Sequence, residues 1–317
     1  MAKDKIVFFG TAGLCIPYLE QLKERFDLRL IVTQPDALGG RRRKKMVPPV
    51  KQFALDHDIP LIQPDQLKCG AVADQLQDIQ PEIGVVIAYG KLIPRKVFSV
   101  PQFNMVNVHF SLLPQYRGAA PVQRALEHGE TVTGVTIFEI AKKLDSGDIW
   151  SQKEFPIQPD DTTEVLFDRL SRDGAPFLIQ TLEQIIGGHI AKVPQDHEKA
   201  TFAPPIEKGE GKIDWQSPAD HIYNKFRAFS PWPGVHFHIQ ELLVNAKKIR
   251  PISNSKELRA MIAGKEPGDV LMMDKNSLNV CCGQHTALEI LEMQPQCKKP
   301  MSPYCYSLGN PIPEKLN

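Results

Sequence analysis

Over its first half the chain alternates short, continuously apolar runs with longer mixed segments, and that rhythm constrains the fold more than any other feature. Lys5–Gly10, Leu28–Val32, Pro60–Ile62, Ile83–Ala88 and Met105–His109 read as strands, with too little alternation for one face to meet water. Between them Pro17–Phe26, Pro49–Asp56 and Ala71–Ile79 carry apolar residues three or four apart, as Leu19, Leu22 and Phe26 do, which is the spacing of a helix stripe. Strand and helix in turn predict an α/β fold on a mostly parallel sheet covered on both faces. Val135–Ile140 and Ile149–Phe155 add two strands, and Thr163–Ile186 a long helix stopped by Gly187 and Gly188.

After Gly188 the texture changes. His189–Glu210 has little periodicity and contains Pro194, Pro204 and Pro205, the signature of a linker. A helix over Pro218–Ala228 follows. Short alternating runs come next, at Val235–Ile239, Leu242–Ile249, Gly268–Met273, Leu278–Cys282 and Ala287–Gln294, and they predict a small antiparallel barrel. The expected domains are therefore 1–188, a linker over 189–210, and 211–317. A length of 317 residues suits two domains of about 150 each.

No apolar run approaches the roughly 18 residues of a membrane span, and Met1–Lys5 lacks the features of a leader, so the mature chain is expected to begin there. The six cysteines, including Cys69, show neither a disulfide framework nor zinc-ligand spacing. A reducing cytoplasm fits that usage. The nine histidines likewise lack metal-site companions. With 38 basic against 37 acidic residues, any nucleic-acid contact must be local. Arg41-Arg42-Arg43-Lys44-Lys45 is the one cationic run of that kind; it reads either as a solvated loop or as a polyanion contact.

In open sheets ligands bind beyond the carboxyl ends of strands. Asn107 and His109 close one strand and, two apart, share a face. An amide donor can hold an oxyanion and an imidazole can move a proton, a pair suited to acyl transfer. Equally, Asn107 can cap a turn and His109 can be a satisfied strand-end histidine. Asp145, in Leu144-Asp145-Ser146-Gly147-Asp148, can orient His109 and favour its imidazolium, or simply build a tight turn. No Gly-x-Ser-x-Gly and no activated thiol occurs, so direct transfer is expected over a covalent intermediate. Gly10-Thr11-Ala12-Gly13 falls short of the dinucleotide fingerprint and no P-loop occurs, leaving NAD and ATP poorly supported.

The run Val106–Arg124, with Asn107, His109 and Ser111-Leu112-Leu113-Pro114, followed by Thr133–Glu139 and Leu144–Ile149, closely resembles the folate-dependent formyltransferases. Thr33–Asp36 with the cationic run, Ala88–Pro94, Ile213-Asp214-Trp215, Arg227–Gly234 and Lys298–Met301 narrow the resemblance to the branch acting on methionyl-tRNA. The resemblance implies a Rossmann-like domain, a linker and an OB-like barrel. It implies 10-formyltetrahydrofolate as formyl donor and methionyl initiator tRNA as acceptor; no metal is needed, and nothing demands more than a monomer. Its catalytic set falls on Asn107, His109 and Asp145. Its folate contacts fall on Ser111, Leu112, Leu113 and Pro114, on Tyr89, Gly90 and Leu92, and near Ile140–Asp145. Its tRNA clamp falls on Arg41, Arg42, Arg43, Lys44 and Lys45. The chain departs from the family at Ala12–Cys15 (usually Pro-Glu-Phe-Ala), at Lys143 (usually Gly) and at Pro205 (usually Lys, here nearest at Lys208). The other readings are a formyltransferase for an amino sugar nucleotide and a non-catalytic RNA-binding module on the same fold.

Overall fold

The structure is a computed structural model that describes residues 3–39, 44–67 and 70–317. Arg41, Arg42, Arg43 and Cys69 lie outside the described residues, and so do the side chains of Lys44 and Lys45. Ten strands occur up to Pro156: β1 (Lys5–Gly10), β2 (Asp27–Val32), β3 (Ala37–Gly39), β4 (Lys44–Met46), β5 (Leu61–Ile62), β6 (Ile83–Ile87), β7 (Met105–His109), β8 (Arg117–Gly118), β9 (Val132–Glu139) and β10 (Ile149–Pro156). The helices of this region are α1 (Ile16–Arg25), α2 (Pro49–Asp56), α3 (Ala71–Ile79), α4 (Arg95–Phe98), α5 (Pro121–Glu127) and α6 (Thr163–Ile186).

The chain forms two compact units. The first runs to Pro121 and takes in Val132–Pro156 and Val165–Pro204. Its seven-stranded sheet has the order β10-β9-β7-β6-β1-β2-β5. The five strands from β7 to β5 are parallel, and β9 and β10 extend the sheet antiparallel. The chain reverses direction across the sheet between β1 and β6, so the carboxyl ends of β1, β6 and β7 lie beside the switch point, where such sheets open a crevice. One face is sealed by α3 and α4, with Val72, Ala73, Leu76 and Val97 against Val7, Phe9, Val86 and Met105. Across the other face the Tyr18 hydroxyl of α1 donates to Leu170 O of α6 at 3.2 Å, and Phe110 meets Phe167 edge-on at 5.5 Å. All five residues of β6 are buried, which is why its sequence does not alternate.

After α6 the chain adds β11 (Phe202–Ala203), α7 (Ala219–Ala228), β12 (Val235–Ile239), β13 (Leu242–Pro251), α8 (Lys256–Ile262), β14 (Val270–Met273), β15 (Leu278–Cys282), β16 (Thr286–Pro295) and α9 (Pro303–Ser307). β11 pairs in parallel with β8, inside the first unit. The second unit comprises Val122–Thr131, Ile157–Glu164 and Pro205–Asn317. It carries an antiparallel sheet of order β12-β13-β16-β15-β14. These strands do not close on one another. The edges are instead bridged by the last residues: His238 of β12 exchanges hydrogen bonds with Asn317, Leu316 N donates to Gly268 O at 2.9 Å, and Val270 N of β14 donates to Glu314 O at 2.7 Å. Leu316 is buried between those backbone bonds. Among the described residues no helix is long and apolar enough to cross a membrane.

Truncating a buried leucine typically costs about 2–5 kcal/mol. Leu316→Ala should therefore lower the melting temperature by several degrees in calorimetry, whereas truncating the exposed Leu308 should leave it within about a degree.

Candidate active site

β7 presents Asn107 and His109 on one face of the sheet, because residues two apart on a strand share a side. Neighbouring strands fix the register, pairing Asn107 with Val86 on β6 and with Phe138 on β9, and His109 with Thr136. The His109 ring is buried, stands edge-on to Phe138 at 6.4 Å, and has Nε2 at 2.8 Å from the carbonyl of Tyr116. Only a protonated Nε2 can donate to a carbonyl, so the neutral tautomer carries its hydrogen there and leaves a lone pair on Nδ1. Nδ1 faces Asp145 Oδ2 at 3.9 Å, too far for a hydrogen bond. Among the described residues the Asn107 amide has no protein partner, and the side chain is half-buried.

Asp145 sits on the loop between β9 and β10 in a left-handed backbone conformation, with φ of 49°. Its Oδ2 accepts the Gly118 N–H at 2.8 Å. Two residues on, a Cβ at Gly147 would lie 1.7 Å from Glu139 O, so only glycine lets the loop fold back this closely. Thus Tyr116 and Gly118, two residues apart on the segment leading into β8, hold the histidine and the carboxylate respectively. The same loop is gripped by Gln195, whose Nε2 donates to Asp145 O at 3.0 Å and Gly147 O at 2.7 Å. Gln195 falls in the stretch that reads as linker, where an isolated polar residue gives no sequence signal; its burial is what marks it.

Burial is the largest influence on His109 and pulls its pKa below the usual 6.5, with Asp145 and the Tyr116 carbonyl pulling the other way. Asp145 does favour the imidazolium, as expected from the sequence, but the desolvation of a fully enclosed ring outweighs a carboxylate that is not hydrogen-bonded to it. His109 begins neutral and can take up a proton at Nδ1.

The folate candidates fall into two groups. Ser111 and Leu113 are buried and serve the turn after β7: the Ser111 hydroxyl donates to Gln115 O at 2.7 Å, and Thr136 Oγ1 accepts from Leu113 N at 3.2 Å while donating to Ser111 O at 2.6 Å. Leu112 packs over Gly134 of β9, and Leu113–Pro114 is a cis peptide. Tyr89 follows β6. Burial pushes its phenol up to about 12, and the hydroxyl, a neutral donor, is buried with no hydrogen-bond partner among the described residues. Gly90 has φ of 78° and lies against the Gln34 amide, while Leu92 is 81% exposed. The described residues contain no group of three or more His, Cys, Asp or Glu able to hold a metal.

Residues 4–182 match the family model for formyl transferase and residues 205–310 the model for the formyl transferase C-terminal domain. The methionyl-tRNA formyltransferase of Listeria welshimeri is 40% identical over 305 residues, which span 96% of this chain and 95% of that protein. The methionyl-tRNA formyltransferase of Koribacter versatilis is 41% identical over 300 residues, 93% of this chain and 92% of its own. Among solved structures, WlaRD, a sugar 3N-formyl transferase, aligns over 94% of this chain and 100% of its own with a TM-score of 0.67 at 18% identity, a likeness of fold.

A histidine whose pKa is lowered by folding binds fewer protons native than unfolded, so stability rises with pH across the interval between the two values. His109 should contribute fully above about pH 6.5 and progressively less as pH falls through its folded value. Imidazole NMR should show His109 titrating below its unfolded position, and Asp145→Asn, which removes the upward pull, should move it lower still. An unchanged midpoint in that variant would mean that the two groups are not coupled.

Proposed function

This chain belongs to the methionyl-tRNA formyltransferase family, and from that membership we propose that Asn107, His109 and Asp145 together carry the formyl group from 10-formyltetrahydrofolate to the α-amino group of methionyl initiator tRNA. The observation that carries the assignment is one strand face offering an unpartnered amide beside a buried imidazole with a free lone pair. The folate supplies the formyl group on N10. As the amine nitrogen bonds to the formyl carbon, negative charge gathers on the formyl oxygen, and the Asn107 Nδ2–H is the donor placed to hold it. The amine must shed a proton. His109 Nδ1 accepts it, because Nε2–H is committed to Tyr116. The imidazolium so formed faces Asp145, which stabilises it until the proton passes to the departing N10. Every proton is accounted for: the amine loses one and the folate nitrogen gains one.

Tyr89, Gly90 and Leu92 beside β6, and Ser111–Pro114 after β7, are the groups to hold the folate. The exposed apolar Leu92 supports this reading, since a pterin offers flat faces to pack against. For the second region we read 211–317 as an OB-like barrel contacting tRNA, with 1–188 as the catalytic domain and 189–210 as linker. The hydrogen bonds that residues 314–317 make to β12 and β14 support a barrel whose open edges are spanned by the chain's last residues. Arg41, Arg42, Arg43, Lys44 and Lys45 are the contact for the acceptor-stem phosphates. A monomer in a reducing cytoplasm suffices. The amino-sugar reading is the weaker one, because sugar formyl transferases share the fold at 18% identity whereas methionyl-tRNA formyltransferases reach 41% along almost the whole chain.

With labelled 10-formyltetrahydrofolate, label should appear on methionyl initiator tRNA and not on an amino sugar nucleotide; the opposite pattern would overturn the assignment. Asn107→Ala should lower the rate on the order of 10²–10³-fold, the usual cost of one oxyanion donor. Replacing Arg41, Arg42 and Arg43 by Ala should weaken tRNA binding and reduce the slope of log affinity against log salt by roughly 0.7–0.9 for each phosphate that the variant no longer neutralises. An unaltered slope would show that the run is only a solvated loop.

A further inference from the structure

Asp145 can serve His109 only if its loop stays folded back over β7, and beside the Gly118 N–H that holds the carboxylate, one buried side chain grips the loop's backbone. Gln195 is 6% exposed, and both ends of its amide are engaged. Its Nε2 donates to the main-chain oxygens of Asp145 at 3.0 Å and Gly147 at 2.7 Å, and its Oε1 accepts from Arg117 Nε at 3.1 Å and Nη2 at 2.6 Å. Arg117 is equally buried and gives a further hydrogen bond from Nη2 to His197 Nδ1 at 2.9 Å. A cation on the carbonyl end of an amide polarises it and strengthens donation from the other end. The segment carrying Gln195 is itself tied down two residues earlier, where Val193 and Ile149 exchange both backbone hydrogen bonds at 2.8 Å.

Resting on the assignment of Asp145 above, we propose that Gln195, backed by Arg117, is a positioning residue for the formyl transfer: it holds the Asp145 loop in register so that the carboxylate faces His109. Arg117 stands between the two residues that hold the pair directly, Tyr116 through its carbonyl and Gly118 through its N–H. One short segment therefore fixes the imidazole, the carboxylate and, through Gln195, the backbone bearing the carboxylate. Loss of the amide would let Asp145 drift without removing any group that meets substrate.

The test uses the full-length enzyme. Gln195→Glu retains an acceptor for Arg117 but, ionised, cannot donate to Asp145 O or Gly147 O; Gln195→Met keeps the volume and removes both functions. Each should lower kcat on the order of 10- to 100-fold, the scale of an ångström-level misplacement, with KM for folate and tRNA within about twofold. Gln195→Met, which brings no charge of its own, should also move the His109 NMR midpoint downward, as Asp145→Asn does, a change that general loosening monitored by melting temperature would not produce. Adding Gln195→Glu to Asp145→Asn should cost nothing further. Wild-type kcat with an unmoved His109 midpoint in a folded Gln195→Met enzyme would overturn the proposal while leaving the Asp145 assignment intact if Asp145→Asn is impaired. An additive double variant would overturn it as well. Full activity in Asp145→Asn itself would instead remove the assignment on which the proposal rests.

Discussion

Enclosing an imidazole inside a protein requires a partner for its N–H, and the carbonyl of Tyr116 is that partner for His109. Much else in the site follows from this one bond. It fixes the tautomer, so the reactive lone pair must be on Nδ1. It also makes the orientation of the His109 ring depend on the backbone position of Tyr116, although no Tyr116 side-chain chemistry is involved. The backbone there has φ of 58°, and it is held by bonds from Tyr116 N to Thr201 Oγ1 at 2.8 Å and from Arg117 N to Thr201 O at 2.9 Å. The pairing of β8 with β11, only two residues long, is thus part of the mount of His109.

The charge state of the site is a balance between solvation and Coulomb attraction. A carboxylate hydrogen-bonded to the ring would hold an imidazolium; at 3.9 Å without a hydrogen bond, and with the ring sealed from water, desolvation prevails. That outcome suits the transfer proposed above, in which His109 takes up the amine's proton. A resident imidazolium could not accept the amine's proton, whereas a neutral ring beside a waiting carboxylate becomes charged only when the proton arrives, and the stabilisation is then expressed in the transition state and not before it.

The sequence was most informative where secondary structure is periodic and burial is uniform. Met105–His109, Ala71–Ile79 and Thr163–Ile186 coincide with their expected spans, because a two-faced strand or a long amphipathic helix writes its environment into every residue. Other spans moved by a few residues: β9 begins at Val132, earlier than the expected Val135, since Thr133 and Gly134 interrupt the apolar run between them. β8 and β11 could not be read at all. Two-residue strands have no period, and their partner is distant in sequence. The same limit hid Gln195 and Arg117, whose importance lies in tertiary contacts between residues 78 apart. Asn107, His109 and Asp145 were legible as chemistry at a strand end and a turn, but the distance between the ring and the carboxylate, which sets the proton's route, depends on how the β9–β10 loop folds back over the sheet.

A motif shared with a family also mixes residues that meet substrate with residues that build the fold, and burial separates them. Arg227 opens the run Arg227–Gly234, one of the segments that carry the family resemblance. Its guanidinium is 5% exposed, donates to Asp161 O at 3.1 Å and to the Asn224 side chain, and lies 5.7 Å from the centre of the Tyr223 ring, whose hydroxyl donates to Asp160 at 2.7 Å. A cation so placed cannot release counterions from RNA without first breaking those bonds. Its work is to fasten the segment 158–161 to α7 within the second unit, so the cations available for a polyanion must be those whose side chains reach solvent.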